Sequence, residues 1–293
     1  MAEASIPAEI SLSGAASAFL ESTSTADATH IRPLHRYLAM RLVLEGGFLP
    51  EDVWPAPPLL SEARSGAHHL SFEPGAESNR EHIVLGALKS KRIDIVVAKS
   101  VVGPVLAISV KGTSKAFRNL VNRTEEAIGD CANIHLMCPG LVYGFVHFLK
   151  GTDPSDPSLA PNDVSLDAEG NVLPAIDAYA RILHGLAGRK LLRDEYSRYE
   201  AVAIAILSSQ RSKHEDVLLG GFPPEDSPLS LASFFASLYQ TYDFRFPYTY
   251  TDPALRHLAR AEWHPDSPAI RRVMGPRPPG LMLDYQPRVA GPV

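Results

Sequence analysis

The sequence predicts an α/β fold, a central mixed β-sheet flanked by helices, on three observations. Two short Val- and Ile-rich runs, Ile93 to Ala98 and Val105 to Val110, are separated by the turn signal Gly103-Pro104 and read as a β-hairpin. A helical stretch from about Ser114 to Met137 follows, then a continuous apolar run, Leu141 to Leu149, of the kind that fills a buried strand. The alternation recurs, since Leu173 to Leu186 has helical spacing and Tyr199 to Leu207 reads as a further strand. With 293 residues and 45% apolar content, the chain suffices for one large domain or two small ones.

Residues 1–28 are Ala- and Ser-rich and weakly patterned, an N-terminal arm that is either frayed or a loosely packed helix. Acids stand there where a signal peptide needs bases, and no run approaches the roughly 18 apolar residues of a membrane span. The expectation is a cytoplasmic protein that does not enter the membrane. Ile31 to Glu45 has helical periodicity with Gly46-Gly47 as its stop. Pro-rich residues 49–58 make a linker or turn. His68 to Phe72 reads as a short strand, with His68 and His69 as an edge pair that lacks metal-ligand spacing. His82 to Leu85 is the strand before the hairpin, preceded by Glu77 and Glu81.

Cys131 and Cys138 are too few for a structural zinc site and read as buried thiols. His147, inside the Leu141–Leu149 run, reads as a core residue. The acidic segment 151–170 is a long loop, and GGFLPED at 46–52 recurs as GGFPPED at 220–226, too far apart for a solenoid. A helix is expected from Ser230 to Gln240. Phe234, Phe235, Tyr239, Tyr242, Phe244, Phe246, Tyr248 and Tyr250 form a dense aromatic stretch, expected as core or dimer interface rather than as a base-stacking platform. The last thirty residues look poorly structured or wrapped over a partner. The expected division is an arm (1–28), an α/β core (29–210) and an aromatic C-terminal extension for recognition or oligomerisation (211–293).

The chemistry concentrates in residues 92–126. Asp94 lies at the start of the first hairpin strand and Lys111 closes the second, and both are costly to desolvate unless they serve each other or a ligand. A carboxylate followed one hairpin later by a lysine resembles the signature of Mg²⁺-dependent phosphodiesterases. The hard cation needs oxygen ligands, and the lysine offsets charge on the phosphate. Around the following helix, with Phe117 at zero, Leu120, Val121, Ile128, Cys131 and His135 fall within roughly 60° and form the expected core face. Glu125 then lies at about 80°, beside Arg118 at about 100°, while Glu126 at about 180° points to solvent and Arg123 lies at about 240°. Glu125 is therefore expected to aim back at the sheet.

Asp94, Ser109-Val110-Lys111 and Arg123-Thr124-Glu125 together resemble the D…S-x-K…R-x-E pattern of the type II restriction endonucleases of the PD-(D/E)xK superfamily that cut CCGG-type sites. In that group the second metal-binding carboxylate has moved from strand to helix, and the likeness spans residues 80–150. The resemblance implies a restriction-endonuclease-like core and a Mg²⁺-dependent, site-specific deoxyribonuclease acting on double-stranded DNA as a homodimer or homotetramer. It implies Asp94 and Glu125 as metal ligands, Lys111 as the residue orienting the attacking water, and Ser109 as a hydroxyl contact or a spacer. A first helix often adds a glutamate in this superfamily, which makes Glu45 a candidate; Glu77, Glu81 and Glu126 are further ones.

Charge distribution points the same way. Residues 89–123 hold eight basic side chains against Asp94 alone, a local +7, so the rest of a chain of net charge −5 carries −12. A basic island in an acidic protein is what local phosphate binding requires, and Lys115, Arg118 and Arg123 are its candidate DNA contacts. Two rival readings remain: a catalytically inactive DNA-binding or assembly module of the same fold, and a Ser/Lys hydrolase built on Ser109 and Lys111 or on Ser114 and Lys115. The second lacks a glycine-rich nucleophile elbow.

Overall fold

The computed structural model describes residues 6–21, 28–64, 66–113, 117, 120–167, 169–208, 218–219, 221–247, 253–276 and 282–291. In chain order the helices are α1 (Leu12–Glu21), α2 (Arg32–Leu44), α3 (Leu120–Met137), α4 (Pro174–Leu186), α5 (Leu231–Arg245) and α6 (Pro268–Met274). The strands are β1 (Val53–Trp54), β2 (Leu59–Arg64), β3 (Ala67–Phe72), β4 (His82–Val84), β5 (Lys91–Ile93), β6 (Ile95–Lys99), β7 (Gly103–Thr113), β8 (Val142–Lys150), β9 (Ala201–Ser208) and β10 (Leu218–Leu219). Among the described residues a six-stranded sheet runs in the order β1-β6-β7-β8-β9-β10, and β2-β3 and β4-β5 form two separate ribbons. The sheet is mixed. β1, β6 and β7 are antiparallel, β8 and β9 run parallel to β7, and β10 turns back against β9. Helices α3 and α4 supply the crossovers that parallel neighbours require.

The period of two along β7 sorts its side chains into two layers. Leu106, Ile108 and Val110 join the apolar cluster of α1, α2 and α5. Ala107 faces the other cluster, with α3 and α4, and Ser109 and Lys111 take partners on that same side. Helix α5 sits close on its face because the strands beneath it carry small residues. Ala201, Ala203 and Ala205 of β9 lie there, and a Cβ at Gly144 of β8 would stand 2.6 Å from Cζ of Phe234. Phe234, Phe235 and Tyr242 are core, as expected for the aromatic stretch, whereas Phe244 is exposed; Tyr248 and Tyr250 lie outside the described residues.

The described residues of both terminal segments pack on the body of the protein. In α1, Ala15, Ala16 and Phe19 are buried, so this part of residues 1–28 is a packed helix. Trp263 and Tyr285 belong to the same cluster as α2 and α5. Asp284 accepts the Leu12 backbone N–H at 3.0 Å and ion-pairs with Arg41, and the Tyr285 hydroxyl donates to the Ile10 carbonyl. Of the C-terminal stretch expected to be loose or to cover a partner, the described residues around Asp284 and Tyr285 pack on this chain's own α1 and α2. His69 stacks on His264, and His68 meets Trp263 edge-on. No helix among the described residues is long and apolar enough to cross a membrane.

His147 is fully buried on β8, between Thr113 Oγ1 and the Tyr179 hydroxyl, each 3.0 Å away. Burial, helped by the charges of Arg123 and Lys111, pulls its pKa down to about 3. The imidazole is therefore neutral in the fold, while an unfolded histidine takes a proton near 6.5. The folded pKa is depressed, so this stability is present above about pH 6.5 and is lost as pH falls from there toward 3. Denaturant unfolding at about pH 7 and about pH 5 should show an acid loss that is smaller by about 2 kcal/mol in His147→Gln than in the wild type. Equal losses would mean that His147 is not the acid-sensitive group.

Candidate active site

β7 organises the site. Asp94 does not lie inside a strand as expected; it occupies the one-residue break between β5 and β6, where the chain turns its carboxylate across to β7. Its Oδ2 accepts the Val110 backbone N–H at 2.7 Å. The next residue is Lys111, whose Nζ donates to Oε1 of Glu126 at 3.0 Å. Two carboxylates from different elements are thus tied to consecutive residues of one strand. Ser109, two residues back on the same side, is buried with its Oγ 2.7 Å from the Tyr143 hydroxyl. Ser109 pairs with Tyr143 and Lys111 with Glu126, so the hydroxyl and the ammonium that the Ser/Lys hydrolase needs to couple are each engaged elsewhere.

The glutamate that meets Lys111 is Glu126, and Glu125 is exposed on α3 without contact to the candidate residues among those described. The expectation was the reverse, and Phe117 is the reason. It lies outside α3, which begins at Leu120, so it does not set the helix phase. The observed core face is Ala127, Cys131, Ile134 and His135, while Val121, expected there, is 66% exposed. With Cys131 at zero, Arg123, Asp130 and Glu126 lie at about −80°, −100° and −140°, and Glu125 lies at about +120° on the opposite flank. The flank carrying Glu126 and Asp130 is the one that meets the lysines of the strands.

Lys91 and Asp130 join the site without having been singled out from the sequence. Lys91 opens β5 and ion-pairs with Asp130 of α3, one helical turn beyond Glu126. Burial first, then repulsion from Lys111, pulls the Lys91 ammonium pKa down, while Asp94 and Glu126 oppose the shift. The hydrogen bond from Lys111 holds the Glu126 carboxyl below the usual range. The i, i+4 spacing of Glu126 and Asp130 was the signal in the sequence for a shared face.

On the α2 side of Asp94 lies a polar pocket of about 50 Å³, lined by Arg32, His35, Arg36, Asn79, Glu81 and Asp94 among others. His35 Nε2 is buried, has no hydrogen-bond partner among the described residues, and stands 4.0 Å from Asp94 Oδ1. Burial lowers its pKa against the opposing charges of Asp94 and Glu81. Of the other glutamates, Glu81 therefore reaches the site. Glu77 pairs with Arg36, and Glu45, at the C-terminal end of α2, is held by Arg41 and the Tyr239 hydroxyl. Arg123 is half-buried on α3 and acts electrostatically on Glu126. Ser114, Lys115 and Arg118 lie outside the described residues. A roomier cavity, about 330 Å³, lies between Arg41, Asp284 and the start of α5, and none of the described candidate residues lines it.

Among the described residues no group of three or more His, Cys, Asp or Glu is arranged to hold a metal ion. Mg²⁺ does not require one, since it keeps several waters and is commonly held by one or two carboxylates together with substrate phosphates. Asp94 and Glu126 supply hard oxygens of that kind. Asp94, Glu126 and Asp130 against Lys91 and Lys111 sum to −1, and Arg123 brings the group to zero. A dication would make it +2, a charge suited to a phosphodiester. Comparison with protein-family models, curated proteins and solved structures returns no match.

Proposed function

We propose that this chain is a Mg²⁺-dependent endodeoxyribonuclease of the type II restriction kind, hydrolysing phosphodiester bonds of double-stranded DNA as a homodimer or homotetramer. The anchoring of Asp94 on the Val110 N–H and of Glu126 on Lys111, at consecutive residues of β7, carries this reading. The element order supports it as well: a helix, antiparallel strands, a helix, a parallel strand, and then helix and strand again, as the resemblance to these endonucleases implies. In the reaction a water attacks phosphorus in line, the P–O3′ bond breaks, and 5′-phosphate and 3′-hydroxyl ends result. Asp94 and Glu126 would hold the Mg²⁺, and the Lewis acidity it supplies when bound would offset charge on the phosphate. Lys111, on the neighbouring residue, orients the attacking water and stabilises the phosphoryl oxygens as their charge grows. Arg123 faces the same flank and contacts backbone phosphate.

The resemblance points to Glu125 as the second carboxylate; the geometry favours Glu126. Glu126→Gln should lower the cleavage rate by on the order of 10²-fold, while Glu125→Gln should stay within about threefold of the wild type. The reverse ranking would mean that α3 is turned when DNA is bound. Supercoiled plasmid incubated with the protein and Mg²⁺, with and without EDTA, tests the activity itself: linear or nicked forms should arise only with metal. Sequencing the ends of digested phage or genomic DNA would then give the site and overhang.

An inactive DNA-binding or assembly module is the second reading, and one observation favours it. Both lysines are already closed onto carboxylates of α3. Binding to duplex DNA with no cutting in Mg²⁺ or Mn²⁺ would establish that reading in place of the nuclease.

A further inference from the structure

We propose that Lys91 is a second phosphate-contacting residue of this site and that Asp130 is the carboxylate that positions it. The inference rests on the nuclease reading only in placing DNA at β7. Lys91 and Ile93 are two residues apart on β5 and share a face, and Ile93 is buried against the α3 layer. The strand therefore aims the Lys91 ammonium at α3, where Asp130 receives it, with 19% of the side chain exposed against 36% for Lys111. Glu126 and Asp130, one turn apart, thus hold two lysines from two different strands as adjacent rungs.

A merely structural role accounts poorly for this arrangement. The β4–β5 ribbon is already fastened to α3 by Asn133. Its Oδ1 accepts the N–H groups of Leu88 and Lys89, its Nδ2 donates to the Lys89 carbonyl, and its own carbonyl accepts the Ala87 N–H. The Lys91 pair is separate from that fastening and brings one ammonium close enough to Lys111 for mutual repulsion. Like charges held side by side are relieved by an anion between them. The nonbridging oxygens of a DNA phosphate are such an anion, and each ammonium can take one as it leaves its carboxylate.

The test uses the full chain and the variants Lys91→Gln, Lys91→Arg and Asp130→Asn. Duplex binding is measured in EDTA over a range of salt, plasmid cleavage in Mg²⁺, and thermal unfolding serves as the folding control. Losing one phosphate contact should flatten the slope of log affinity against log salt by about 1 in Lys91→Gln, and Lys91→Arg should keep the wild-type slope. Cleavage should slow by roughly 10- to 100-fold in Lys91→Gln and recover substantially in Lys91→Arg. Asp130→Asn should raise KM more than it lowers kcat, because it releases the lysine without removing it. An unchanged salt slope and cleavage rate in Lys91→Gln, with only the melting temperature lowered, would overturn the inference and leave the nuclease reading intact. A flattened slope in a protein that never cuts would do the opposite. A wild type that neither binds nor cuts DNA would overturn both.

Discussion

Asp94→Asn should lose cleavage by on the order of 10²- to 10³-fold while the protein stays folded, and Lys111→Ala should do the same. The two losses have different causes. Asp94 accepts the Val110 N–H, and an asparagine in its place can keep that hydrogen bond through its amide oxygen while losing the charge a dication needs. Asp94→Ala would leave the Val110 N–H without its acceptor and cost about 1–3 kcal/mol of stability, which would confuse the readout. Lys111 pairs with Glu126, but the two side chains are 36% and 55% exposed, so removing the pair costs at most about 1 kcal/mol. A large activity loss beside a small stability loss is therefore expected at both positions. The checks are plasmid cleavage in Mg²⁺ and a denaturant melt on each variant. Asp94→Asn cutting at the wild-type rate would end the assignment of Asp94 as a metal ligand.

Glu200→Ala should destabilise the fold by about 3–5 kcal/mol, because it would leave two buried guanidinium groups without their counter-charge. Glu200 stands just before β9 with its side chain fully buried. Its Oε1 is 3.0 Å from Arg189 and 2.6 Å from Arg245, and its Oε2 accepts the Tyr143 N–H at 2.6 Å and lies 3.4 Å from His135. Burial alone would raise its pKa. His135, Arg245 and the Tyr143 N–H outweigh that and hold it below the usual carboxylate range. One carboxylate thus ties α3, β8, α5 and the segment after α4 together. Glu200→Gln keeps an acceptor for Tyr143 and should lose less than Glu200→Ala. Thermal unfolding should show a fall on the order of 10 °C for Glu200→Ala. A loss below about 1 kcal/mol would mean that water reaches the cluster and screens it.

Much of the architecture was legible from apolar patterning. α2, α4, β8 and β9 fall within two residues of where periodicity and run length put them. Each buries a face, or both faces, whose spacing is written locally along the chain. That Asp94 would lie beside the Ser109–Lys111 stretch was also legible, because a hairpin brings residues of nearby sequence together. The aromatic stretch was legible as core, though not which strands would receive it. That depended on Gly144 and the alanines of β9, which are small residues with no pattern of their own.

The sequence by itself determined the α/β class, the mixed sheet, the basic island and the strand half of the candidate site. Only the tertiary structure decided which side of α3 meets the sheet. A helix wheel orders side chains around an axis but carries no zero. Phe117 supplied a wrong one because it lies outside the helix, and the burial of Ala127, Cys131 and Ile134 against β8 and β9 supplied the right one. That rotation puts Glu126 rather than Glu125 on Lys111 and brings Asp130 to Lys91. It also required the β4–β5 ribbon to dock on α3, a contact about 40 residues apart in sequence that no local spacing encodes.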